Sequence, residues 1–147
     1  MCKTFSAIYT QQRELVFQPA YTDSHKDLIA SRGFSDNGRG AFVRLEYYPV
    51  NGNFADLNTY ELSVDERAIP EWFTTAERSH VEHTLRDRIR AMFVDTKRPC
   101  LLGGCWILND GANVERCVGG RITCMFGSSQ VGEMRDSSRA GKKRARK

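Results

Sequence analysis

The chain has 147 residues, enough for one domain or for one small domain with an appendage, and its 40% apolar and 27% charged residues are ordinary for a globular protein. No apolar run approaches the ~18–20 residues that a membrane-spanning helix needs, and the N-terminal residues lack the apolar stretch of a secretory signal. We therefore expect a protein of the cytoplasm without a membrane partner.

The net charge of +4 comes from the C-terminal residues. Six cations and no acid lie in residues 139–147, namely Arg139, Lys142, Lys143, Arg144, Arg146 and Lys147. Taking these six from +4 leaves −2 for residues 1–138. We expect residues 139–147 to be a disordered basic tail that attracts phosphate backbones without sequence preference, the alternative being a solubilising tail with no specific role.

The first half of the chain predicts two strands, a short helix and two further strands. Residues 4–18 are typical of a β-hairpin, and residues 41–48 and 60–66 alternate as half-buried strands that pair with each other. Along 41–48, Val43, Leu45 and Tyr47 face one side of the strand, and Arg44 and Glu46 face the other. Between hairpin and strands, we expect a helix from His25 to Ser31, ending before Gly33.

One longer helix follows. Thr74 is its predicted N-cap, with Glu77 at the capping-box position. The helix spacing predicts a buried stripe that comprises Val81, Leu85, Ile89, Met92 and Phe93. A turn at residues 95–99 ends it, so we expect an α+β domain over residues 1–99, a mixed sheet with one long helix.

Residues 100–138 repeat with a period of about eight. A glycine opens each unit, at Gly103, Gly111, Gly119 and Gly127, and a bulky or branched residue such as Val114 or Ile122 follows at a fixed offset. Such units favour a short β-solenoid, with one strand per unit and the branched residue pointing inward. Two units per coil would leave the last rung exposed, which invites pairing with another chain. An antiparallel meander is the alternative.

Three histidines are the first candidates for chemistry. His25 lies between Asp23 and Asp27, as a general base would, but the spacing of Ser24 and Asp27 favours a capping box with His25 exposed in the first turn. His80 and His83 share a face of the long helix, yet no third metal ligand is placed by the sequence. We interpret both as polar surface positions.

The five cysteines are Cys2, Cys100, Cys105, Cys117 and Cys124. Their spacing matches no common zinc motif, and an odd number favours reduced thiols that fill space in the repeats. Phosphate-binding glycine loops and the nucleophile elbow are absent as well. The sequence thus predicts a non-enzymatic protein with no catalytic residues, no metal site and no cofactor.

The runs GSSQVGEMRDSS and LLGGCWIL, with TDSHKDLI, FVRLEYYP and VDERAIPEWF before them, resemble uncharacterised phage and prophage proteins that end in many GSSQV-x-x-M repeats. The resemblance covers most of residues 4–138, although this chain has few repeats and ends in a basic tail. It implies a phage or mobile-element origin and the bacterial cytoplasm as workplace. It supplies no catalytic residues.

We therefore expect a phage-type binding protein that acts on a host protein or nucleoprotein complex, in its sharpest form a counter-defence inhibitor of the anti-CRISPR kind. The six tail cations are its predicted electrostatic binding residues, with nonspecific nucleic acid as a further partner. Two alternatives remain: a small enzyme or ligand binder that uses the His25 segment or a cysteine, and a structural protein that self-assembles through the open repeat edge.

Overall fold

The structure, a computed structural model, describes residues 5–35, 37, 39–135, 138–140 and 143–144. The chain divides into two compact units, one formed by Met1–Gly52 with Asn58–Asp87, the other by Asn53–Leu57 with Arg88–Lys147. Sheet pairing is antiparallel in the first unit and parallel in the second. The predicted α+β class is thereby confirmed.

The first unit contains a four-stranded antiparallel sheet. Its strands are β1 (Phe5–Thr10), β2 (Leu15–Val16), β3 (Phe42–Pro49) and β4 (Tyr60–Val64), with a 3-10 turn at Leu57–Thr59 before β4. The spatial order is β2–β1–β3–β4. The hairpin and the pairing of β3 with β4, with Leu45 opposite Val64, are as predicted.

The short helix α1 (His25–Ser31) has the predicted bounds and lies over one face of this sheet. Leu28 and Ile29 form a cluster with Ile8 of β1 and Phe42 of β3. Strand β3 was predicted to be buried on one face only, but it is buried on both. Helix α1 packs on the face that Glu46 shares with Ile8, so Glu46 is only 9% exposed. Burial on both faces requires each polar side chain there to find a partner.

The predicted capping box of α1 does not form. Ser24 is at the N-cap, but its side chain makes no capping hydrogen bond. Asp27 instead accepts a hydrogen bond from the Thr22 hydroxyl, at 2.8 Å. An aspartate side chain at the third helical position is short, and here it bonds a hydroxyl that precedes the N-cap.

The first turn of the long helix α2 (Thr75–Arg90) contacts the face of the sheet that carries Tyr9, opposite to the face that carries Ile8. Its N-cap is as predicted, since the Glu77 N–H donates to the Thr74 hydroxyl oxygen at 3.3 Å. The Tyr9 hydroxyl of β1 donates to Glu77 Oε2 at 2.6 Å, and Arg78 Nη2 donates to the Leu62 carbonyl of β4 at 2.8 Å. These two bonds connect the first turn of α2 to two strands.

The buried stripe of α2 is shorter than predicted. Val81, Leu85 and Ile89 are fully buried, but the helix ends at Arg90. Phe93 lies in a strand, because its backbone pairs with that of Ile107.

The second unit is built from short strands that pair in parallel. They are β5 (Phe93–Val94), β6 (Lys97–Leu102), β7 (Cys105–Leu108), β8 (Asn113–Val118), β9 (Arg121–Phe126), β10 (Gln130–Arg135), β11 (Arg139–Ala140) and β12 (Lys143–Arg144). One sheet has the order β6–β8–β10, and the other has β5–β7–β9 with β11 and β12 on the far side of β9.

Each strand from β5 to β8 thus pairs with the strand after next, and paired residues are 14 to 17 positions apart, close to two units of the repeat. The antiparallel meander is wrong for the described strands. Residues from both sheets form one core, in which Val114, Cys117 and Ile122 are fully buried, and Trp106 and Met125 pack against it. The predicted inward positions are confirmed.

Glycine is required at two kinds of position in these ladders. The four unit-opening glycines, Gly103, Gly111, Gly119 and Gly127, all have positive φ, between +54° and +89°. At Gly120 and Gly132 the reason is close approach: a Cβ would lie 2.7 Å from the Gly103 carbonyl oxygen and 2.8 Å from the Glu115 carbonyl oxygen, respectively.

The unit boundary differs from the predicted one at residue 99. The second unit includes Arg88 onward, because β5 and β6 pair within the ladders. The predicted turn at residues 95–99 is largely strand β6, which contains Pro99. β6 is at the edge of its sheet, where a residue without an N–H is tolerated.

Residues 139–147 were expected to be disordered, but the part of them that the structure describes forms two short strands. The backbone of Arg139–Ala140 and of Lys143–Arg144 pairs with β9. Lys142, Arg146 and Lys147 lie outside the described residues. Among the described residues, neither α-helix is both long enough and apolar enough to cross a lipid bilayer.

Replacing Gly132 by alanine is expected to lower the free energy of unfolding by about 1–3 kcal/mol, because the new methyl group would clash with the Glu115 carbonyl oxygen. Urea unfolding followed by circular dichroism measures the change. The exposed neighbour Gln130→Ala is the control, with an expected change within about 0.5 kcal/mol. Equal effects of the two substitutions would contradict the close approach.

Replacing Tyr9 by phenylalanine removes the bond to Glu77 and is expected to cost about 1–2 kcal/mol at pH 7. Burial, the hydrogen bond to Glu77 and the charge of Glu77 raise the pKa of Tyr9 from 10.0 to about 12. A raised pKa stabilises the fold below pH ~10, and this contribution is lost as the pH rises toward 12.

The difference between wild type and Tyr9→Phe should therefore shrink from pH 10 upward in urea unfolding. The control is Tyr21→Phe, since Tyr21 is 84% exposed and its hydroxyl should contribute little at any pH. A difference that is unchanged at pH 12 would show that the hydroxyl does not act through its hydrogen bond.

Candidate functional site

The sheet β6–β8–β10 presents its exposed side chains on one surface, which we call the outer face. Its charged and large apolar members are Lys97, Leu102, Glu115, Arg116, Glu133 and Arg135. Parallel register aligns them in rows: Cys100, Arg116 and Glu133 form one, and Leu102, Val118 and Arg135 form the next. Adjacent strands in a sheet lie about 4.8 Å apart, so the rows present regularly spaced groups.

The outer face is more basic than acidic. Three of its exposed side chains are cationic, Lys97, Arg116 and Arg135, and two are anionic, Glu115 and Glu133. Glu133 and Arg135 pair with each other, since Arg135 Nε lies 2.6 Å from Glu133 Oε1, which leaves Lys97 and Arg116 against Glu115. The positive excess favours an acidic partner surface.

Leu102 is the exposed apolar side chain of this face. It ends β6 and is 73% exposed, which is unusual for a leucine in a strand. Its row neighbour Val118 is half-buried. A leucine in one row with Arg135 combines an apolar anchor with a charged group, a frequent composition of protein interfaces.

The predicted tail residues extend the other sheet of the second unit. Arg139 stands opposite Arg121, and Arg144 opposite Phe126, both through backbone pairing with β9. The remaining cations of the predicted binding set are Lys142, Lys143, Arg146 and Lys147. Of these only the backbone of Lys143 is described, opposite Met125.

His25 lies in a different place, in the first unit. It is 6% exposed rather than exposed as predicted, and its Nε2 lies 2.8 Å from the Leu45 carbonyl oxygen. A carbonyl oxygen only accepts hydrogen bonds, so Nε2 carries a proton, and in the neutral imidazole the lone pair is then on Nδ1. The helix α1 turns this ring into the sheet.

The carboxylates grouped with His25 come from other elements of the first unit and not from its sequence neighbours. One ligand atom each from His25, Glu46 and Asp65 lie within 4.8 Å of one another. In the sheet, Glu46 is opposite Ser63, and the Asp65 N–H donates to the Arg44 carbonyl, so the two carboxylates share one face. Asp23 and Asp27, the sequence neighbours of His25, do not belong to this cluster.

A pocket of about 420 Å³ opens beside this cluster. His25 and Asp65 contribute to its wall together with Lys26, Ile29, Ala30, Phe34 and Arg44. Two of these lining residues are basic, and Arg44 pairs with Glu66 at 3.5 Å. The pocket thus joins an apolar wall to a group of titratable side chains, which is the usual composition of a small-ligand site.

The sequence missed Glu46 and Asp65 for an identifiable reason. Alternation along the strand places Glu46 on the face opposite to Leu45. Pairing of the two predicted strands places Asp65 on the same face as Glu46. What the sequence lacks is a signal that α1 lies over this face. Without it, both residues look like solvent-facing charges.

The second histidine candidate is not assembled into a site. His83 Nε2 lies 3.3 Å from Asp87 Oδ2, and both side chains are exposed. Within the described residues, no group of three potential ligands includes His80 or His83. The interpretation of these residues as helix surface is in line with their exposure.

The cysteines of the repeats are mostly buried. Cys105, Cys117 and Cys124 are buried, whereas Cys100 is half-buried. Burial raises the pKa of the Cys105 thiol, and a hydrogen bond with Thr123 at 3.0 Å offsets only part of this rise. Burial also raises the pKa of Cys117. Such thiols are poor nucleophiles, which favours the space-filling interpretation.

Comparisons of the chain with protein-family models, with curated proteins and with solved structures find no match.

Alkylation should distinguish the cysteines. In a Cys2→Ser background at pH 7, iodoacetamide is expected to modify Cys100 before the three buried cysteines, because Cys100 is the more accessible and burial raises the pKa of Cys105 and of Cys117. Peptide mass spectrometry over a time course measures the order. The same reaction in 6 M guanidinium, roughly full denaturation, is the control and should remove the order. Early modification of Cys105 or Cys117 in the folded protein would contradict their burial.

Proposed function

We propose that the protein is a non-enzymatic binding protein whose outer face docks on an acidic surface of another protein, alone or within a nucleoprotein complex. The observation that carries this proposal is the exposed Leu102 within a face of positive excess. Leu102 is 73% exposed, and moving an apolar side chain from water into contact with a partner lowers the free energy.

The parallel ladders support this proposal through their rigidity. We take them to be a short β-solenoid, in which each coil contributes one strand to each sheet. Repeating coils hold rows of side chains at fixed spacing, so a partner meets a preorganised surface and little ordering free energy is lost on binding.

The resemblance to phage and prophage proteins adds the setting. It supports a role in the bacterial cytoplasm, and a small protein without a recognised catalytic motif suits inhibition by docking. A counter-defence inhibitor of a host nuclease complex is the sharpest form of the proposal. In that form, the basic residues of 139–147 would add attraction to a nucleoprotein.

The test compares two charge reversals of equal size. The full tagged chain captures partners from host lysate, with and without nuclease treatment, and Arg116→Glu is expected to reduce capture about tenfold or more. Arg67→Glu is the control, because Arg67 is exposed and belongs to the first unit, not to the sheet β6–β8–β10. A parallel pair is Leu102→Ser with Val50→Ser as control, since Val50 is 59% exposed.

Cross-linking should map the partner to β6, β8 and β10. Capture that survives Arg116→Glu and Leu102→Ser, or is equally reduced by Arg67→Glu, would reject the outer face as the docking surface.

The alternative of self-assembly makes a different prediction. Among the described strands, β10 pairs on one side only, with β8. If this edge joins copies of the chain, light scattering after size exclusion should show a mass that increases with concentration. The docking proposal expects the mass of a monomer at a low and at a high protein concentration, because the outer face is a sheet surface and not the β10 edge.

A further inference from the structure

We propose that His25, Glu46 and Asp65 form a binding site for a divalent transition-metal ion, Zn²⁺ or Mn²⁺, at the bottom of the pocket in the first unit. This site is independent of the outer face, since all three residues belong to the first unit.

The three residues come from three elements that the fold fixes against one another. His25 begins α1, Glu46 is in β3, and Asp65 follows β4 directly. Two atoms that bind one ion at about 2.1 Å each can be no more than about 4.2 Å apart. The observed limit of 4.8 Å requires only a small contraction, and Asp65 is the exposed member whose side chain has room to move.

The orientation of His25 is the one that a metal ligand needs. Its Nε2–H donates to the Leu45 carbonyl, so in the neutral ring Nδ1 is the nitrogen that a metal ion would take. Histidines that bind metals commonly donate their other ring N–H to a backbone carbonyl in this way, which fixes the ring and strengthens the ligand.

Burial favours a bound cation. His25 and Glu46 are 6% and 9% exposed, so water solvates them little. Two carboxylates in this cluster repel each other if both are ionised. A divalent ion between the two carboxylates neutralises both and removes this repulsion.

The donor set selects the class of ion. Imidazole nitrogen suits Zn²⁺ and other transition metals, whereas carboxylate oxygen alone suits Mg²⁺ and Ca²⁺. One imidazole with two carboxylates therefore favours Zn²⁺ or Mn²⁺ over Mg²⁺ and Ca²⁺. Three protein ligands also leave coordination positions open, as in catalytic rather than structural zinc sites.

A further ligand could reach the open coordination positions through the pocket. His25 and Asp65 are both in its wall, so the remaining positions face a space of about 420 Å³. Lys26 and Arg44 in the same wall favour an anionic small molecule as the further ligand.

The experiment uses the full chain and the metal alone. After removal of metals by chelation, isothermal titration with ZnCl₂ and with MnCl₂ should show one equivalent bound by the wild type. Asp65→Asn should weaken the affinity about tenfold or more, because an amide replaces a carboxylate ligand in an exposed position that does not disturb packing.

Two controls separate this site from other metal binding. Glu61→Gln removes an equal charge from an exposed position of β4, and His83→Gln removes the exposed histidine that pairs with Asp87. Both should leave the affinity unchanged. Circular dichroism confirms that each variant is folded.

Quenching of the Mn²⁺ electron paramagnetic resonance signal on binding gives a second readout. No saturable binding of Zn²⁺ or Mn²⁺ by the wild type would overturn the proposal. Tight binding that Asp65→Asn leaves intact, or that His83→Gln abolishes, would overturn it as well. Binding of Ca²⁺ or Mg²⁺ in preference to both would overturn the choice of ion.

Discussion

Close approach between neighbouring backbones is the constraint on which the second unit depends. Strands pair with the strand after next, so the chain must turn twice between partners and return at hydrogen-bonding distance. The turns require positive φ at Gly103, Gly111, Gly119 and Gly127, and the stacking leaves no space for a Cβ at Gly120. In the sequence, this geometry corresponds to a glycine at every eighth position. The apolar core follows from it, because the same period returns Val114 and Ile122 to the inside.

Local patterns in the sequence predicted much of the fold. The bounds of α1, the cap of α2 at Thr74 and the inward positions of the repeats depend on neighbouring residues and on helix or strand period. Strand β6 was missed because Pro99 is typical of turns, and only its place at a sheet edge makes it acceptable in a strand. The direction of pairing in the ladders was left open for a similar reason, since period alone does not distinguish parallel from antiparallel neighbours.

The cluster around His25 was less predictable, because it depends on contacts that are distant in sequence. The group of potential ligands around His25 does not include its sequence neighbours Asp23 and Asp27. Glu46 and Asp65 are brought to the ring because α1 lies over β3 and β4 follows beside it. The exposed Leu102 had no sequence signal either, since leucine is expected in the interior, and only the register of β6 with β8 directs it outward.

The ladders have a consequence for how such a chain can change length. Inserting two further glycine-opened units between β9 and the C-terminal residues would add one strand to each sheet, with pairing like that of the strands before it. Each addition would extend the outer face by about 4.8 Å, while the sheet that carries Glu46 and the helices on its two sides would be unaltered. Copy number would then tune the area and charge of one surface independently of the rest of the chain. A family built in this way could fit partners of different size without redesigning its first unit.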